Sequence, residues 1–266
     1  MVPILNKSLP KAPWLDPAAW RLPGTQPLDP AQWLYVDDVF SEQMALRDML
    51  LSERCEDVHA IRDEAEAAAR EVLDHLLSAL RSNPTYRIRQ DEVLRPDGVS
   101  VAIDRTQPLR TAGRLVQEDL CLLQPDSTQT YHLSAAVLCF PASWTLSEKI
   151  GKTLVGLHNP IDAYSDDIAR RVQRLFESIR PGMMLARSNA LLYNTPMLHA
   201  PRREAEHDAD GGPDGRYLRS ERQALQRLPQ TKAVLFSIHT FVVRVEDLTR
   251  EQAVALDQVR ARLRPR

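Results

Sequence analysis

The most informative candidate for chemistry in this sequence is His158, which follows Leu157 and precedes Asn159-Pro160. The sequence predicts a helix just downstream, beginning near Ser165. An imidazole at such a helix approach can ligate a metal through one ring nitrogen while an acceptor holds the other. A histidine there is more often a hydrogen-bonded structural residue, so the residues alone leave both interpretations open.

A second candidate is a pair of arginines, Arg219 and Arg222. The segment from Arg216 to Leu228 is predicted to be a short helix, which places both side chains on one helical face. Guanidinium groups bind carboxylates, including the two propionates of a haem. The alternatives are a solvated face or an ion pair between Arg222 and Glu118 or Glu221, and from the residues alone these are favoured.

Two predicted strands supply the third set of candidate residues. Period-two alternation puts Arg187 and Asn189 on one face of the strand Met183–Tyr193, where they line either a pocket or a sheet edge. His239 lies inside the strand Ala233–Val243 and is a candidate for metal or acid–base chemistry, although a satisfied core histidine is more common. One histidine, arginines and an apolar slot are the parts that can hold a haem.

The elements that must position these residues follow from periodicity and turn signals. A helix is expected from Ser41 as its cap through Leu50, and a second along the apolar stripe from Ile61 to Leu80, with His75 in solvent. Further strands are predicted at 99–103, 119–123 and 131–140, and further helices after Trp144 and over 251–263. The polar loop 202–215 is predicted to be mobile.

This order of elements favours an α+β fold with a single antiparallel sheet covered by helices on one face, preceded by N-terminal helices. Residues 1–40 carry many prolines and tryptophans, which predicts an extended strap, with disorder as the alternative. Residues 41–266 are then expected to form one domain.

Composition limits the functional classes. The net charge of −2 argues against sequence-blind nucleic-acid binding, and no apolar run is long enough to span a membrane. The start of the chain does not resemble a signal peptide, and three cysteines without a CxxC pair fit a reducing cytoplasm. There is no GxGxxG segment and no P-loop, so a redox enzyme built on this chain would receive its electrons from another protein.

Several of these segments, taken together, resemble the catalytic (alpha) subunit of the haem-dependent oxidative N-demethylase family. The resemblance runs from about Asp38 to Val243 and depends on the shared order and spacing of short motifs. These motifs are Gln117-Glu118-Asp119-Leu120, Pro141…Trp144…Glu148-Lys149…Gly151, Leu157-His158 with Pro160, Arg187 with Asn189, and Leu218-Arg219-Ser220-Glu221-Arg222-Gln223…Leu228-Pro229.

The resemblance implies a PAS-like fold, haem b, and O2-dependent removal of a methyl group from a small amine as formaldehyde. It also implies electrons from NADPH through a partner reductase that carries flavin and an iron–sulfur centre. His158 matches the axial ligand best by position, and Arg219 and Arg222 would be propionate or pocket partners. Glu118, Tyr193 or Glu221 could hold the amine.

The sequence departs from the family pattern at Ala190, Asp162 and His239, where tryptophan, proline and arginine are usual. These changes put the identity of the amine in doubt more than the fold. Two other hypotheses stay open: a non-catalytic haem or small-ligand sensor on the same sheet, and a scaffold subunit that has lost haem.

Overall fold

The computed structural model describes residues 2–16, 24–158, 166–203, 206 and 211–260, without the side chains of residues 158 and 166–169. The strands are β1 Gln26–Pro27, β2 His59–Ile61, β3 Arg87–Ile88, β4 Glu92–Leu94, β5 Ser100–Ala102, β6 Asp119–Pro125, β7 Tyr131–Val137, β8 Met184–Tyr193, β9 Tyr217–Arg227 and β10 Val234–Arg244. The α-helices are α1 Phe40–Glu53, α2 Cys55–Val58, α3 Glu66–Leu80, α4 Pro108–Gly113, α5 Leu146–Lys149, α6 Leu154–His158, α7 Asp166–Ser178 and α8 Arg250–Val259.

One antiparallel sheet of seven strands, in the order β1-β8-β9-β10-β6-β7-β2, organises the molecule. A separate small sheet has the order β3-β4-β5. The predicted α+β class with an antiparallel sheet is confirmed. Among the helices that the structure describes, none is both long and apolar enough to cross a membrane.

The large sheet has two differently covered faces. On the face that we call the front, Leu185, Leu225 and Phe236 lie side by side across β8, β9 and β10 and pack against α5, α6 and α7. On the opposite face, which we call the back, Leu122 and Leu235 pack against α1 and α3. The N-terminal helices therefore cover a second face of the sheet, in addition to the one face that the order of elements predicted.

The first two predicted helices are largely confirmed. Helix α3 buries the predicted stripe and ends before Asn83-Pro84, but Ile61 belongs to the short strand β2 and is exposed. Ser41 does not cap α1, because the chain turns into that helix at Asp37, whose carboxylate accepts the N–H of Val39. The expected solvent exposure of His75 is also wrong.

His75 is half-buried at the back of the sheet. Its Nε2 lies 2.8 Å from Oε1 of Gln226, and its ring centroid is 5.2 Å from that of Trp33. His75 lies outside the apolar stripe of α3, but Trp33 of the N-terminal segment covers it. The periodicity of the helix does not reveal this contact.

The predicted helix from Arg216 to Leu228 is wrong, because this segment is the long strand β9. It pairs along its whole length with β10 and with β8, so hydrogen bonds from both neighbours override the helix preference of its Leu, Arg, Glu and Gln residues. The consequence for chemistry is direct. Residues three apart in a strand point to opposite faces, so Arg219 and Arg222 do not share one.

The other strands agree with the sequence. Strands β5, β6, β8 and β10 match the predicted segments closely, and β7 ends at Val137, three residues before the predicted end. The last helix begins as expected, because Thr249 and Gln252 form a capping box. Ser165, residues 204, 205 and 207–210 of the polar loop, and residues 261–263 lie outside the described residues.

The N-terminal segment lies against the back of the sheet. The indole of Trp33 is buried and donates a hydrogen bond of 2.9 Å to Oγ of Ser237 on β10. Asn6 forms backbone and side-chain hydrogen bonds with Val242, and Trp14 is buried near the C-terminal helix. The buried indoles and the hydrogen bonds of Asn6 hold the proline-rich strap on the sheet. The division of the chain at residue 40 stays a prediction.

A fully buried ion pair joins α1 to the start of the sheet. Nη1 of Arg47 lies 2.7 Å from Oδ1 of Asp119, and both side chains are 0% exposed. The Arg47 guanidinium also donates to the carbonyls of Gly113 and Gln117. A pair in this environment is expensive to break because either partner alone would be a buried, uncompensated charge.

We therefore expect Arg47→Ala to lower the free energy of unfolding by about 3–5 kcal/mol. Arg54→Ala serves as the matched control, because Arg54 and Asp57 form an ion pair with both side chains about half exposed, and loses no more than about 1 kcal/mol. Urea unfolding of the two variants and the wild type measures both values. A loss below about 1 kcal/mol for Arg47→Ala would contradict the role given to this pair.

Candidate functional site

A row of polar side chains crosses β8 and β9 on the front of the sheet. Arg187 lies directly opposite Gln223 in the strand register, and Asn189 lies opposite Glu221. Nη1 of Arg187 donates to Oε1 of Gln223 over 3.2 Å, and Nδ2 of Asn189 donates to Oε2 of Glu221 over 3.2 Å. The predicted shared face of Arg187 and Asn189 follows from this register.

Glu221 is the centre of this row. Its carboxylate also accepts a 3.1 Å hydrogen bond from Nε2 of Gln223 and lies 3.4 Å from Nε of Arg219. Its backbone N–H donates to Oδ1 of Asn189 over 3.1 Å. Three side chains therefore fix the carboxylate while part of it stays accessible, the arrangement needed to receive a cationic N–H from a ligand.

Arg219 acts as the anchor of the row. The residue is buried, and its guanidinium donates to the carbonyls of Leu198, over 3.0 Å, and Phe140. With its remaining nitrogen next to Glu221, each of its three nitrogens has a protein partner. Arg219 is therefore suited to holding Glu221 in place more than to binding a ligand carboxylate.

Arg187 differs because its guanidinium is only partly satisfied. Nε is buried and has no hydrogen-bond partner among the residues that the structure describes. Burial lowers the pKa of Arg187, even though nearby Glu221 acts in the opposite direction. A buried, under-neutralised guanidinium is a natural partner for a carboxylate of a ligand.

Tyr193 lies at the end of β8 on the same face. Burial raises the pKa of its phenol, so the hydroxyl is protonated at neutral pH. A cavity of about 10 Å³ beside Tyr193 and Arg219, which has room for about one water, opens here.

His239 lies on the back of the sheet, within a buried cluster of charges. Its Nδ1 is 3.0 Å from Oε1 of Glu118 and its Nε2 is 3.1 Å from Oδ2 of Asp37. Burial alone would lower the pKa of His239, but the hydrogen bonds to Asp37 and Glu118 outweigh it and raise the pKa to about 9. Because both ring nitrogens are engaged with carboxylates, neither is available to ligate a metal.

Arg222 is also on the back of the sheet, directly opposite His239 in the register. It donates to the carbonyls of Trp33, over 2.8 Å, and Gln32, over 2.5 Å, and its guanidinium lies 4.7 Å from the ring centroid of Tyr35. Neither of the ion pairs considered from the sequence forms, because its hydrogen-bond partners are these strap carbonyls.

The sheet thus divides the candidate residues into two groups. Five lie together at the front: Arg187, Asn189, Tyr193, Arg219 and Glu221. Glu118, Arg222 and His239 lie at the back, where they hold the strap. The side chain of His158 lies outside the described residues, but Leu157 packs in the front cluster, so α6 lies on the front.

Sequence reasoning missed two contributors. Gln223 belongs to the front row, and the alternation of Arg219, Glu221 and Gln223 would have indicated it if the segment had been interpreted as a strand. Asp37 has no local signal, because it meets His239 across 202 residues of sequence.

The raised pKa of His239 predicts a pH-dependent stability. A protonated His239 stabilises the fold fully below the unfolded-state pKa of about 6.5, and this contribution is lost as the pH rises through about 9. The change amounts to at most about 3 kcal/mol. In urea unfolding between pH 6.5 and 9.5, the free energy of unfolding of the wild type should decline as the pH rises. This decline should be missing in His239→Gln.

His59→Gln is the control for this measurement. Burial, with Arg110 nearby, lowers the pKa of His59, so its contribution to the free energy of unfolding does not fall as the pH rises above 6.5. Its variant should keep the decline of the wild type. Equal pH dependence in the wild type and His239→Gln would show that His239 is not held protonated by its two carboxylates.

Comparison with known families agrees with the resemblance seen in the motifs. The sequence model of the family described as "haem-dependent oxidative N-demethylase, alpha subunit-like" matches residues 24–262. The match includes the entire large sheet and the helices on both of its faces. This chain belongs to the haem-dependent oxidative N-demethylase alpha subunit-like family.

Proposed function

We propose that this chain binds haem b and acts as the catalytic subunit of an enzyme that removes a methyl group from a small amine. The family match over residues 24–262 carries this proposal. In the net reaction, the methyl carbon leaves as formaldehyde, which takes one oxygen atom of O2. The other oxygen atom leaves as water, with two electrons and two protons supplied from outside the chain.

The electrons are proposed to come from NADPH through a partner that carries flavin and an iron–sulfur centre. The description of the family as alpha subunit-like supports an assembly with other subunits. A bound haem would supply the iron at which O2 is reduced. The work of this chain is then to ligate the iron, exclude water and orient the amine.

The sheet is proposed to be PAS-like. In support, its five long strands form an antiparallel array in the order β7-β6-β10-β9-β8, and the first two of them form a hairpin. The connection from β7 to β8 contains α5, α6 and α7, which pack on the front.

The donor groups at the front of the sheet fit a haem. Arg187 offers a buried Nε without a described partner and would bind a propionate, and His158, which belongs to the front helix α6, is proposed to ligate the iron. His239 is not proposed as a ligand, because both of its ring nitrogens are occupied. Arg222 is not proposed as a propionate partner, because it faces the back.

The donor groups suit a haem, but the volumes of the two cavities do not. The cavity beside Tyr193 holds about 10 Å³, and a cleft on the back holds about 210 Å³, while ligand sites commonly need about 300–1,000 Å³. Neither of these two cavities takes a macrocycle as the structure stands.

Glu221 is proposed to hold the amine. A small methylated amine is protonated near neutral pH, and the carboxylate of Glu221 faces the front with Asn189 and Gln223 fixing its orientation. Tyr193 lies on the same face and could donate a hydrogen bond from its protonated hydroxyl. Glu118 is left out, because it is bound to His239 on the other side.

Replacing Glu221 with glutamine tests this role. We expect Glu221→Gln to lower kcat/KM for methylamines by about 10–100-fold, since an ion pair to the substrate is lost, while the haem absorbance is unchanged. The assay measures formaldehyde from a panel of secondary and tertiary methylamines with O2, NADPH and a flavin and iron–sulfur reductase.

Glu246→Gln is the matched control, because its side chain is 74% exposed and belongs to neither face of the site. It should retain wild-type turnover. Full activity in Glu221→Gln would refute its role in amine binding, and no formaldehyde from a haem-loaded wild type with any amine would refute the proposed reaction.

A further inference from the structure

A cleft of about 210 Å³ opens between the strap and the back of the sheet. The strap supplies one wall, which includes Lys11, Gln26 and Tyr35, and the edge of the sheet supplies the other, with Ser188 and Arg222. Ser188 and Arg222 are direct neighbours across β8 and β9, so their side chains point the same way.

The lining of this cleft has an unbalanced charge. Its lining includes three cationic residues, Lys11, Arg187 and Arg222, and no carboxylate stands among its described lining residues. The carboxylate of Asp16 lies just outside the lining, where it accepts a 3.0 Å hydrogen bond from Nε2 of Gln26. An anion would therefore meet attraction from two sides and no repulsion within the lining.

Arg222 is a group in this lining that needs a counter-charge. Two of its five N–H groups serve the carbonyls of Trp33 and Gln32. Among the described residues, Arg222 donates to these carbonyls and to no carboxylate, although Glu118 lies close enough to act on its charge. Burial lowers the pKa of Arg222 in spite of Glu118 and Tyr35, which means that the charge is incompletely compensated.

We propose that this cleft binds a small free carboxylate, held by Arg222 and Lys11 with a hydrogen bond from Ser188. A guanidinium presents parallel N–H groups that match the two oxygens of a carboxylate better than a spherical anion. The cleft is too small for a haem and lies on the opposite face from Glu221, so this site is separate from the proposed amine site. Arg187 belongs both to the lining of the cleft and to the front row.

The bound carboxylate would join two parts of the chain. Lys11 and Gln26 belong to the strap, while Ser188 and Arg222 belong to the sheet, so a ligand that contacts both stabilises the folded strap. The site is thus an effector site whose occupation raises the stability of the chain and takes no part in the reaction.

Thermal unfolding and calorimetric titration of the full chain test this site. The probes are sodium acetate, succinate and phosphate at constant ionic strength, with chloride as the reference. We expect a carboxylate to raise Tm and to give a saturable heat, and phosphate to have at least tenfold lower affinity. The absence of either carboxylate signal at high millimolar concentrations would overturn the proposal, and so would equal binding of phosphate.

Two variants locate the site without removing Arg222, which also holds the strap. Ser188→Tyr fills the cleft beside Arg222, and Lys11→Glu reverses the charge at its wall; each should weaken carboxylate binding at least tenfold. Lys7→Glu is the control, because Lys7 is an exposed strap residue outside the lining. Unchanged affinity in both cleft variants would place the binding elsewhere and overturn the assignment.

The same variants separate this site from the haem site. Haem absorbance should be unaffected in Ser188→Tyr and Lys11→Glu. If these two variants lost both the haem absorbance and the binding of carboxylate, Arg222 would serve a haem propionate. That result would overturn the separate carboxylate site. A wild type that binds carboxylate but no haem would leave this proposal standing and refute the proposed function.

Discussion

The buried pair of Arg47 and Asp119 is the interaction on which the rest of this structure depends. Asp119 neutralises Arg47 and also accepts the backbone N–H groups of Cys139 and Phe140, so one carboxylate joins α1 to the chain beyond β7. The carbonyl of the same Phe140 accepts a hydrogen bond from Arg219, and Arg219 in turn lies next to Glu221. A series of hydrogen bonds and ion pairs, which passes through the backbone of Phe140, therefore runs from the first helix to Glu221. The orientation of Glu221 thus depends on groups that are distant in sequence.

The sheet separates two kinds of buried charge. On the back, His239 lies between Asp37 and Glu118 with every ring nitrogen engaged, which is the property of a structural cluster. On the front, the carboxylate of Glu221 is partly accessible and Arg187 has an unpartnered Nε among the described residues. Oε2 of Glu118 on the back also lacks a described partner, but that side chain is 2% exposed and the side chain of Glu221 is 15% exposed. The accessible carboxylate of Glu221 therefore makes the front the face where an amine and a cofactor are proposed to bind.

Part of the fold and of the candidate site could be predicted from the sequence, because the sequence patterns that specify those parts are local. The apolar stripe of α3 and the alternation in β8 and β10 each lie within one segment, and so does the family motif around His158. Strand β9 could not be predicted, because its residues favour a helix in isolation and only pairing with β8 and β10 decides otherwise. That one error placed Arg219 and Arg222 together, and it concealed Gln223. The partnership of Asp37 with His239 was equally inaccessible, because the strap supplies it from the other end of the chain.

Haem is proposed to bind at the front of the sheet through His158, while His239 lies on the back as a structural residue. The most direct measurement is the absorbance spectrum of protein expressed with haem supplied, compared among the wild type, His158→Ala and His239→Gln. We expect a Soret band in the wild type and in folded His239→Gln, and its loss or a marked shift in His158→Ala. A band that is lost only when His239 is replaced in a folded protein, or no band in the wild type, would contradict this proposal.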